Sequence, residues 1–475
     1  MRLKVLPCFI PCREKAMDAE ASSGLRAFKP PKIEMARGPL SAFSLLRVMV
    51  RNPVAAAPQA AYREPHATLQ AAGQTILFPS DPAITESILV RRHAEFAKSR
   101  LYNRLLNPIL GNGLLTAEGE AWRWQRRLAA PAFRAAVLSN YLPVMRSPFE
   151  ELVQRWTQNP GPRRVDDAMT AATIAVICRA FFSNFGQLDA DRISRAIERY
   201  LGPSSWPIAY ESLGLPQWMP HPGRRKMERA AGEGRQLVRN FVTRRRRDRQ
   251  DLPDLAQILM DAHDPETGRA LSDDDLVSMF LTLIAAGHET SANALTWALY
   301  CLAAQPDQQE ALADHVRAVV GSGPVEASHL EVLSDLTHFI EETMRLLPPV
   351  PLMSRHALHS CEIAGKTVEA TALIFIPIYA IHRHEALWSD PDCFDPGRFR
   401  SQAQAARPRC AYIPFGAGPR ICIGASFAMM EMVAGLATML TAVRFRLQDT
   451  TPPEPMHRIT LRPRNPVVLR LEPRR

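Results

Sequence analysis

Apolar positions recur with a helical period over one long stretch in the second half of the chain. The longest apolar run, LVSMFLTLIAAG, extends from Leu276 to Gly287. Ser272 stands before it as a suitable N-cap, Asp275 completes an approximate capping box, and other acidic residues fill the first turn. The pattern continues to about Gln305, which predicts a helix of about 50 Å at ~1.5 Å per residue. A helix of that length would cross a whole domain.

Shorter patterns predict further elements around this helix. An almost continuous apolar face from Ala425 to Leu440 predicts a second helix. The stretch ATLQAAGQTILF, residues 67–78, has the alternation of a small β region. The stretch GPLSAFSLLRVMVRNP, residues 38–53, predicts a short amphipathic helix that rests on the domain or makes a weak contact with a membrane surface. No apolar run reaches the ~18 residues of a membrane span, so no transmembrane segment is predicted.

Composition identifies a folded globular protein. The chain has 475 residues, of which 46% are hydrophobic and 22% charged, and no internal repeat is present. We expect residues 1–28 to form an irregular extension and residues 29–475 to form the domain. The eight cysteines lack the spacing of a disulfide framework, which favours a cytoplasmic location and leaves Cys422 as a free thiol.

The net charge is positive but does not point to nucleic acid. The formal charge of +10 favours an acidic partner or an anionic membrane surface. The densest basic run, RRRRDR at residues 244–249, closes a helical pattern and is interpreted as a solvated helix end. Neither a zinc-finger spacing nor an RNA-binding aromatic motif accompanies it, so no nucleic-acid binding is predicted.

One cysteine lies in a glycine-rich loop directly before the second apolar helix. The loop follows the pattern FxxGxRxCxG, which is formed by Phe415, Gly418, Arg420, Cys422 and Gly424. A thiolate near a helix N-terminus is stabilised by free amide groups and by the helix dipole. Glycines at positions 416, 418 and 424 would let the backbone approach a flat ligand. The loop is therefore suited to hold a metal-bound sulfur, whereas the alternative is a buried free cysteine in a turn.

At these residues the sequence resembles the cytochrome P450 family. The resemblance implies that Cys422 is the proximal ligand of a haem b iron, with Phe415 and Gly424 beside the cofactor. It also implies a mainly α fold with a small β region, in one large triangular domain.

A second motif, AGHETS, lies in the middle of the long predicted helix. Thr290 can turn its hydroxyl back to the carbonyl of Ala286, which would open the helix next to Gly287. The family places its oxygen-binding groove here, so Ala286 is expected beside the haem and Thr290 and Glu289 are expected to supply protons. The alternative for Glu289 is a salt-bridged surface carboxylate, and no role is assigned to His288.

A third motif, EETMR, places Glu342 and Arg345 on one helix face. With the segment DPGRF it resembles the family triad, in which Arg398 of the Pro396 to Phe399 segment joins the pair. Breaking a buried charge pair costs about 3 to 5 kcal/mol, so we expect a structural role for the triad.

Four residues are candidates for binding the carboxylates of haem. Trp122 and Arg126 lie one helical turn apart in EAWRWQRRLAAPAF, and their N–H groups suit the haem propionates. Arg355 and Arg420 match the other propionate-binding arginines of the family. For each arginine taken alone, the alternative interpretation is a plain surface cation.

The resemblance implies a haem-thiolate monooxygenase of the soluble bacterial type without a fused reductase. The enzyme would use O2 to hydroxylate or epoxidise a lipophilic small molecule, with electrons from a separate ferredoxin, flavodoxin or reductase. Arg123 and Arg127 are candidates for the docking site of that donor, or plain surface cations. The alternatives are a haem-thiolate peroxygenase, isomerase or dehydratase, and a haem-binding sensor without enzymatic activity.

The pocket is expected to be apolar and to be built from four segments. These are the predicted loop SRLYNRLLNPILGNG, the segment between Asp189 and Met219, the long helix around Leu283 and Ala286, and VPLM at residues 350–353.

Overall fold

The computed structural model describes residues 28–35, 41–71, 74–183, 186–212, 215, 218–248 and 254–474. The predicted irregular extension, residues 1–28, lies outside the described residues except for Phe28. The α-helices of the described part are α1 Ala42–Arg51, α2 Pro82–Glu86, α3 Arg100–Leu110, α4 Gly119–Ala129, α5 Ala135–Leu138, α6 Leu142–Gln158, α7 Val165–Phe181, α8 Gln187–Leu201, α9 Ser205–Ser212, α10 Arg224–Asp248, α11 Leu255–Met260, α12 Asp273–Ala304, α13 Pro306–Val320, α14 Ala327–Val332, α15 Ser334–Leu346, α16 Ile378–Ile381, α17 Ser401–Ala405 and α18 Ala425–Ala442.

The strands are short and form small sheets at the edges of the helical body. They are β1 His66–Ala71, β2 Gln74–Pro79, β3 Phe96–Lys98, β4 Gly161–Arg164, β5 Met353–Ala357, β6 Cys361–Ile363, β7 Lys366–Val368, β8 Leu373–Ile376, β9 Val443–Leu447, β10 Pro455–Arg458, β11 Thr460–Pro463 and β12 Val468–Pro473. The largest sheet has the order β1-β2-β8-β5-β3, and β4-β12-β9 forms a three-stranded sheet. The pairs β6-β7 and β10-β11 are separate hairpins. The fold is thus mainly helical with a small β component in one domain, as predicted.

The long predicted helix is present as α12 and lies at the centre of the core. The Ser272 side chain accepts from the Asp275 amide while the Asp275 side chain accepts from the Ser272 amide, so the predicted capping box is formed. The helix packs against α7, α10, α15 and α18. A Cβ at Gly287 would lie 2.7 Å from the Ile177 Cδ1 atom of α7. Gly287 therefore allows α7 to approach α12 closely, a reason that the sequence pattern does not show.

The Glu342 and Arg345 pair is buried and braces the region before the cysteine loop. Arg345 donates to both carboxylate oxygens of Glu342, at 2.6 and 2.7 Å, and to the carbonyls of His382 and Pro391, each at 2.7 Å. The Arg398 Nε atom lies 3.6 Å from the Glu342 Oε1 atom. The predicted triad is therefore formed, and its donors hold the chain between α16 and α17.

Two local predictions were wrong. The expected loop SRLYNRLLNPILGNG is mostly α3, because the Ser99 side chain caps its first turn and Gly111, with φ of 64°, ends it. The basic end of α10 is not wholly solvated either, since Arg245 is 2% exposed and donates to Asp254 at 2.8 Å. The reason is that Asp254, the N-cap residue of α11, lies beside Arg245, which also donates to Gln257 of α11.

The helix after the cysteine loop is α18. Among the described residues, it is the one helix that is long and apolar enough to cross a membrane. Of its 18 residues, 56% are buried inside the protein. Its neighbours are α6, α12, α13 and α15, so its apolar surface faces other helices of the core.

Candidate active site

A cavity of about 330 Å³ lies between α12, α3, α8 and the loop before α18. Its walls are mainly aliphatic and aromatic side chains. The cavity brings together Cys422 and Phe415 from the cysteine loop and Ala286, Glu289 and Thr290 from α12. Motifs that are more than a hundred residues apart in the sequence therefore form one site.

The cysteine loop is held by its backbone. The Cys422 amide donates to the Phe415 carbonyl at 2.9 Å, and Gly416 and Gly418 adopt φ of 77° and 73°. A Cβ at Gly418 would collide with the Leu89 carbonyl, so this glycine is needed for close packing of the chain. The expectation that Gly418 makes room for a ligand was therefore wrong, whereas Gly424 lines the cavity next to Cys422.

The Cys422 thiol faces the cavity and is otherwise surrounded by protein. Burial raises the pKa of this thiol, while the Gly424 amide and the Arg126 guanidinium lower it. Within the described part of the chain, no group of three or more His, Cys, Asp or Glu side chains is arranged to hold a metal ion. A metal that binds Cys422 must therefore bring most of its ligands with it, as the iron of haem does.

Positive charge is concentrated at one end of the cavity. We call the set of Lys98, Arg126, Arg355 and Arg420 the cationic rim. Lys98 and Arg355 lie opposite each other on β3 and β5, an arrangement that is unfavourable for like charges. Burial and the neighbouring Arg420 lower the pKa of Lys98 to about 7 and that of Arg355 to about 10.

Charge compensation at the rim is incomplete. The Glu118 carboxylate forms an ion pair with Arg420 and accepts from the Lys98 amide at 3.1 Å. It is the carboxylate that offsets the depressed pKa values of both Lys98 and Arg355. Three cations share one carboxylate, and Arg126 adds a fourth cation beside the cysteine loop. This set fits a ligand edge that carries two further carboxylates, which is what the haem propionates provide.

Trp122 and Arg126 share one face of α4 but have different surroundings. The Arg126 Nη1 atom donates to the Ile421 carbonyl at 3.0 Å, so the guanidinium lies against the cysteine loop. The Trp122 ring does not line the cavity; it packs under the Arg420 guanidinium, 4.3 Å from the ring centre. Trp122 therefore supports Arg420 in this structure.

On the opposite wall, the α12 side chains have defined partners. The Thr290 hydroxyl donates to the Ala286 carbonyl at 2.7 Å, as predicted. Glu289 accepts from the Thr460 hydroxyl at 2.6 Å. The surface alternative for Glu289 is therefore wrong, because its carboxylate lines the cavity.

The predicted pocket segments all contribute to the lining. Those side chains are Tyr102, Leu106, Ile109 and Leu110 of α3, Ile197 and Leu201 of α8, Leu283 of α12, and Val350 and Met353 before and in β5.

Three polar residues of this region were missed from the sequence. Lys98 is the last residue of a short strand, and Thr460 lies in the β10-β11 hairpin, so no local motif marks either one. Glu431 is fully buried on α18, and burial raises its pKa to about 8 although the neighbouring Ser291 hydroxyl opposes the shift. A carboxylate in an otherwise apolar helix was the available signal for Glu431.

Comparison with known proteins agrees with this geometry. A family model described as Cytochrome P450 matches residues 50–470. Cyclooctatin synthase of Streptomyces melanosporofaciens is 31% identical over 372 residues, which cover 78% of this chain and 81% of that protein. Cyclooctat-9-en-7-ol 5-monooxygenase of the same organism is 30% identical, over 77% of this chain and 79% of that protein.

A solved structure confirms the fold. The heme domain of cytochrome P450DA aligns with a TM-score of 0.78 at 24% identity, and the alignment covers 94% of this chain and 98% of that one. The family match, the monooxygenase relatives and the cavity with its thiol lead to one conclusion: the chain belongs to the cytochrome P450 family of oxygen-incorporating oxidoreductases.

Proposed function

We propose that this protein is a haem-thiolate monooxygenase that inserts one oxygen atom from O2 into a lipophilic small molecule, by hydroxylation or epoxidation. The observation that carries the proposal is the cavity, which is lined by the Cys422 thiol, the Thr290 and Glu289 pair and the cationic rim. A thiol alone would not identify a haem site, because cysteines have many other roles. The three features together are suited to haem binding and oxygen chemistry.

The cofactor proposed for this cavity is haem b. Cys422 would hold the iron, and the cationic rim would pair with the two propionates, while Phe415, Gly424 and Ala286 line the space between them. When bound, haem supplies the activation of O2 and the oxidation itself. The Cys422 thiolate would hold the iron and would supply electron density to it.

The protein's own polar groups would supply protons from α12. Thr290 holds its hydroxyl proton at Oγ1, where it is directed to the Ala286 carbonyl, and Glu289 can take up and release a proton at its carboxylate. The mainly aliphatic walls offer water few hydrogen-bond partners in the same space. These two residues are therefore the proposed catalytic pair.

The proposed substrate class is lipophilic, because the lining of the cavity is mainly aliphatic and aromatic. One relative is named for its action on cyclooctat-9-en-7-ol. Alcohols of that kind are therefore included with terpenoids, fatty acids, steroids and xenobiotics in the set to be screened, since the fold does not fix the substrate.

Electrons are proposed to come from a separate ferredoxin, flavodoxin or reductase. The two arginines that were candidates for the docking site of the donor form ion pairs within the protein. Arg123 pairs with Glu120, and Arg127 pairs with Asp264 at 2.9 Å. Both arginines stay partly exposed, so they can still contribute positive potential to an acidic donor.

The proposed location is the cytoplasm, with a weak membrane contact at most. In α1, Leu45 and Met49 face the core, whereas Phe43 is 75% exposed. One exposed aromatic ring gives little membrane affinity by itself. Flotation of the protein and of the Phe43→Ser variant with anionic vesicles measures this contact.

The absorption spectrum of the reduced carbon monoxide complex tests the ligand assignment. We expect a thiolate-type spectrum for the wild-type protein and for Cys361→Ala, and its loss in Cys422→Ala. Retention of that spectrum in Cys422→Ala would exclude Cys422 as the ligand.

Turnover assays separate the reaction classes. A monooxygenase requires O2 and an electron donor, whereas a peroxygenase works with peroxide alone. An isomerase or dehydratase converts substrate without net oxidation, and a sensor shows ligand-dependent spectra without product. A screen of lipophilic compounds that follows the haem spin state supplies candidate substrates for these assays.

A further inference from the structure

The β10-β11 hairpin reaches the cavity with its tip. Arg458 and Thr460 are paired in the hairpin register, and Ile459 between them has φ of 79°. A β-branched residue in the left-handed region is strained, and such strain persists only where the surrounding structure fixes the backbone. Ile459 and Thr460 both line the cavity beside the α12 residues.

The hairpin is braced from several sides. The Leu461 amide donates to the Pro349 carbonyl at 2.8 Å, and the Trp297 indole of α12 donates to the Leu461 carbonyl at 3.2 Å. On the other strand, the His457 amide donates to the Asn52 side chain at 3.2 Å. The backbone on both sides of Thr460 is therefore held independently of the Thr460 side chain.

The Thr460 hydroxyl connects two α12 residues that lie one turn apart. Its Oγ1 atom donates to Glu289 at 2.6 Å and accepts from the Asn293 amide nitrogen at 3.3 Å. Since an amide NH2 group only donates, the Asn293 bond leaves the hydroxyl proton directed to Glu289. Thr460 is 5% exposed and Asn293 is 9% exposed, so water competes little for these bonds.

We infer that Thr460 is a positioning residue, which holds the Glu289 carboxylate at the cavity wall next to Thr290. This inference rests on the proposed function, because Glu289 matters for protons only in a monooxygenase. It gives the hairpin a role in the reaction, since Ile459 and Thr460 at its tip both line the cavity. A merely structural Thr460 would fasten the hairpin to α12 without affecting proton supply.

The test compares Thr460→Val, which keeps the shape but lacks the hydroxyl, with Thr460→Ser, which keeps the hydroxyl. Thr296→Val is the matched control, since Thr296 is a buried threonine of α12 that donates to the Ala292 carbonyl at 2.7 Å and does not line the cavity. Thr460→Ala also lacks the hydroxyl and serves the same comparison if the valine variant does not fold.

The first measurement is infrared and does not depend on turnover. The carboxylate band of Glu289 is obtained as the difference between each protein and the same protein with Glu289→Gln. We expect the band to shift in Thr460→Val and to stay at the wild-type position in Thr460→Ser and Thr296→Val. An unshifted band in Thr460→Val overturns the inference.

The second measurement is the amount of product formed per electron consumed by the haem-loaded enzyme. Loss of one hydrogen bond to a charged group corresponds to roughly a 10- to 150-fold loss of correctly oriented carboxylate. We therefore expect coupling in Thr460→Val to fall toward that of Glu289→Gln, and we expect coupling to be restored in Thr460→Ser. If Thr460→Val and Thr296→Val lose the same amount of coupling and the same amount of melting temperature, Thr460 has a structural role only. That result overturns the inference.

Failure of the proposed function gives a different result. If the wild-type protein forms no oxygenated product with any donor, the monooxygenase assignment fails, while the infrared comparison still decides whether Thr460 positions Glu289.

Discussion

The buried carboxyl group of Glu431 makes the stability of the fold depend on pH in a predictable direction. Glu431 is 0% exposed on α18, and neither of its carboxylate oxygens has a hydrogen-bond partner of good geometry among the described residues. Burial raises its pKa from 4.5 to about 8, so the folded protein favours the protonated form. In the unfolded chain the same group ionises near its ordinary pKa, so folding at neutral pH requires uptake of a proton.

The size of the effect follows from the two pKa values. Below the unfolded pKa the group is protonated in both the folded and the unfolded state, so it does not lower the free energy of unfolding. As the pH rises from about 5 to 8, each pH unit lowers the free energy of unfolding by ~1.4 kcal/mol, and the loss is complete above the folded pKa. At pH 7 the wild-type protein therefore carries a penalty of about 3 kcal/mol from this one carboxyl group.

Glu431→Gln removes the titration and keeps the shape. We expect the stability of the variant relative to wild type to increase steadily between pH 5 and pH 8, as measured by urea unfolding of the haem-loaded proteins at several pH values. The control is Glu310→Gln, because Arg444 and Arg474 lower the pKa of Glu310 to about 2. The contribution of Glu310 is present above its unfolded pKa, so the control should differ from wild type by a constant amount between pH 5 and 8. A pH-independent difference for Glu431→Gln would refute the burial argument.

Two further predictions concern packing and cofactor binding. Lys98→Met should weaken haem binding, because the rim loses one of its cations, whereas the exposed Lys366→Met should not; titration of haem-free protein with haemin measures both, and equal affinities would remove Lys98 from the rim. Gly287→Ala should lose the ~1 kcal/mol that alanine normally gains over glycine in a helix, since its Cβ would lie 2.7 Å from the Ile177 Cδ1 atom and would displace that side chain. Ile177→Val lacks that atom and should restore part of the loss in the double variant; the absence of any rescue in thermal unfolding would contradict this contact.

The elements that the sequence predicted best are those with local causes. The capping box at Ser272 and the long apolar pattern after it fix α12 without reference to the rest of the fold. The Thr290 bond to the Ala286 carbonyl is likewise a property of one helical turn. The cysteine loop is recognisable because backbone geometry restricts its glycines. Local chemistry was therefore enough for these residues.

The features that were missed depend on contacts between distant segments. Lys98 enters the rim because β3 pairs with β5, about 250 residues later in the chain. Thr460 contacts Glu289 across 171 positions. The α3 segment was expected to be a loop, yet its buried leucines pack the helix against the core. No window of the sequence contains this information.

The cationic rim has a consequence for how the cofactor is selected. In the haem-free protein its positive charges repel one another in a poorly hydrated space, and Glu118 relieves only part of that repulsion. A porphyrin with free carboxylates would relieve the rest on entry, whereas its dimethyl ester would leave the cations unmatched. If the rim binds the propionates as proposed, we expect the cavity to take up porphyrins with free carboxylates in preference to esters of the same shape.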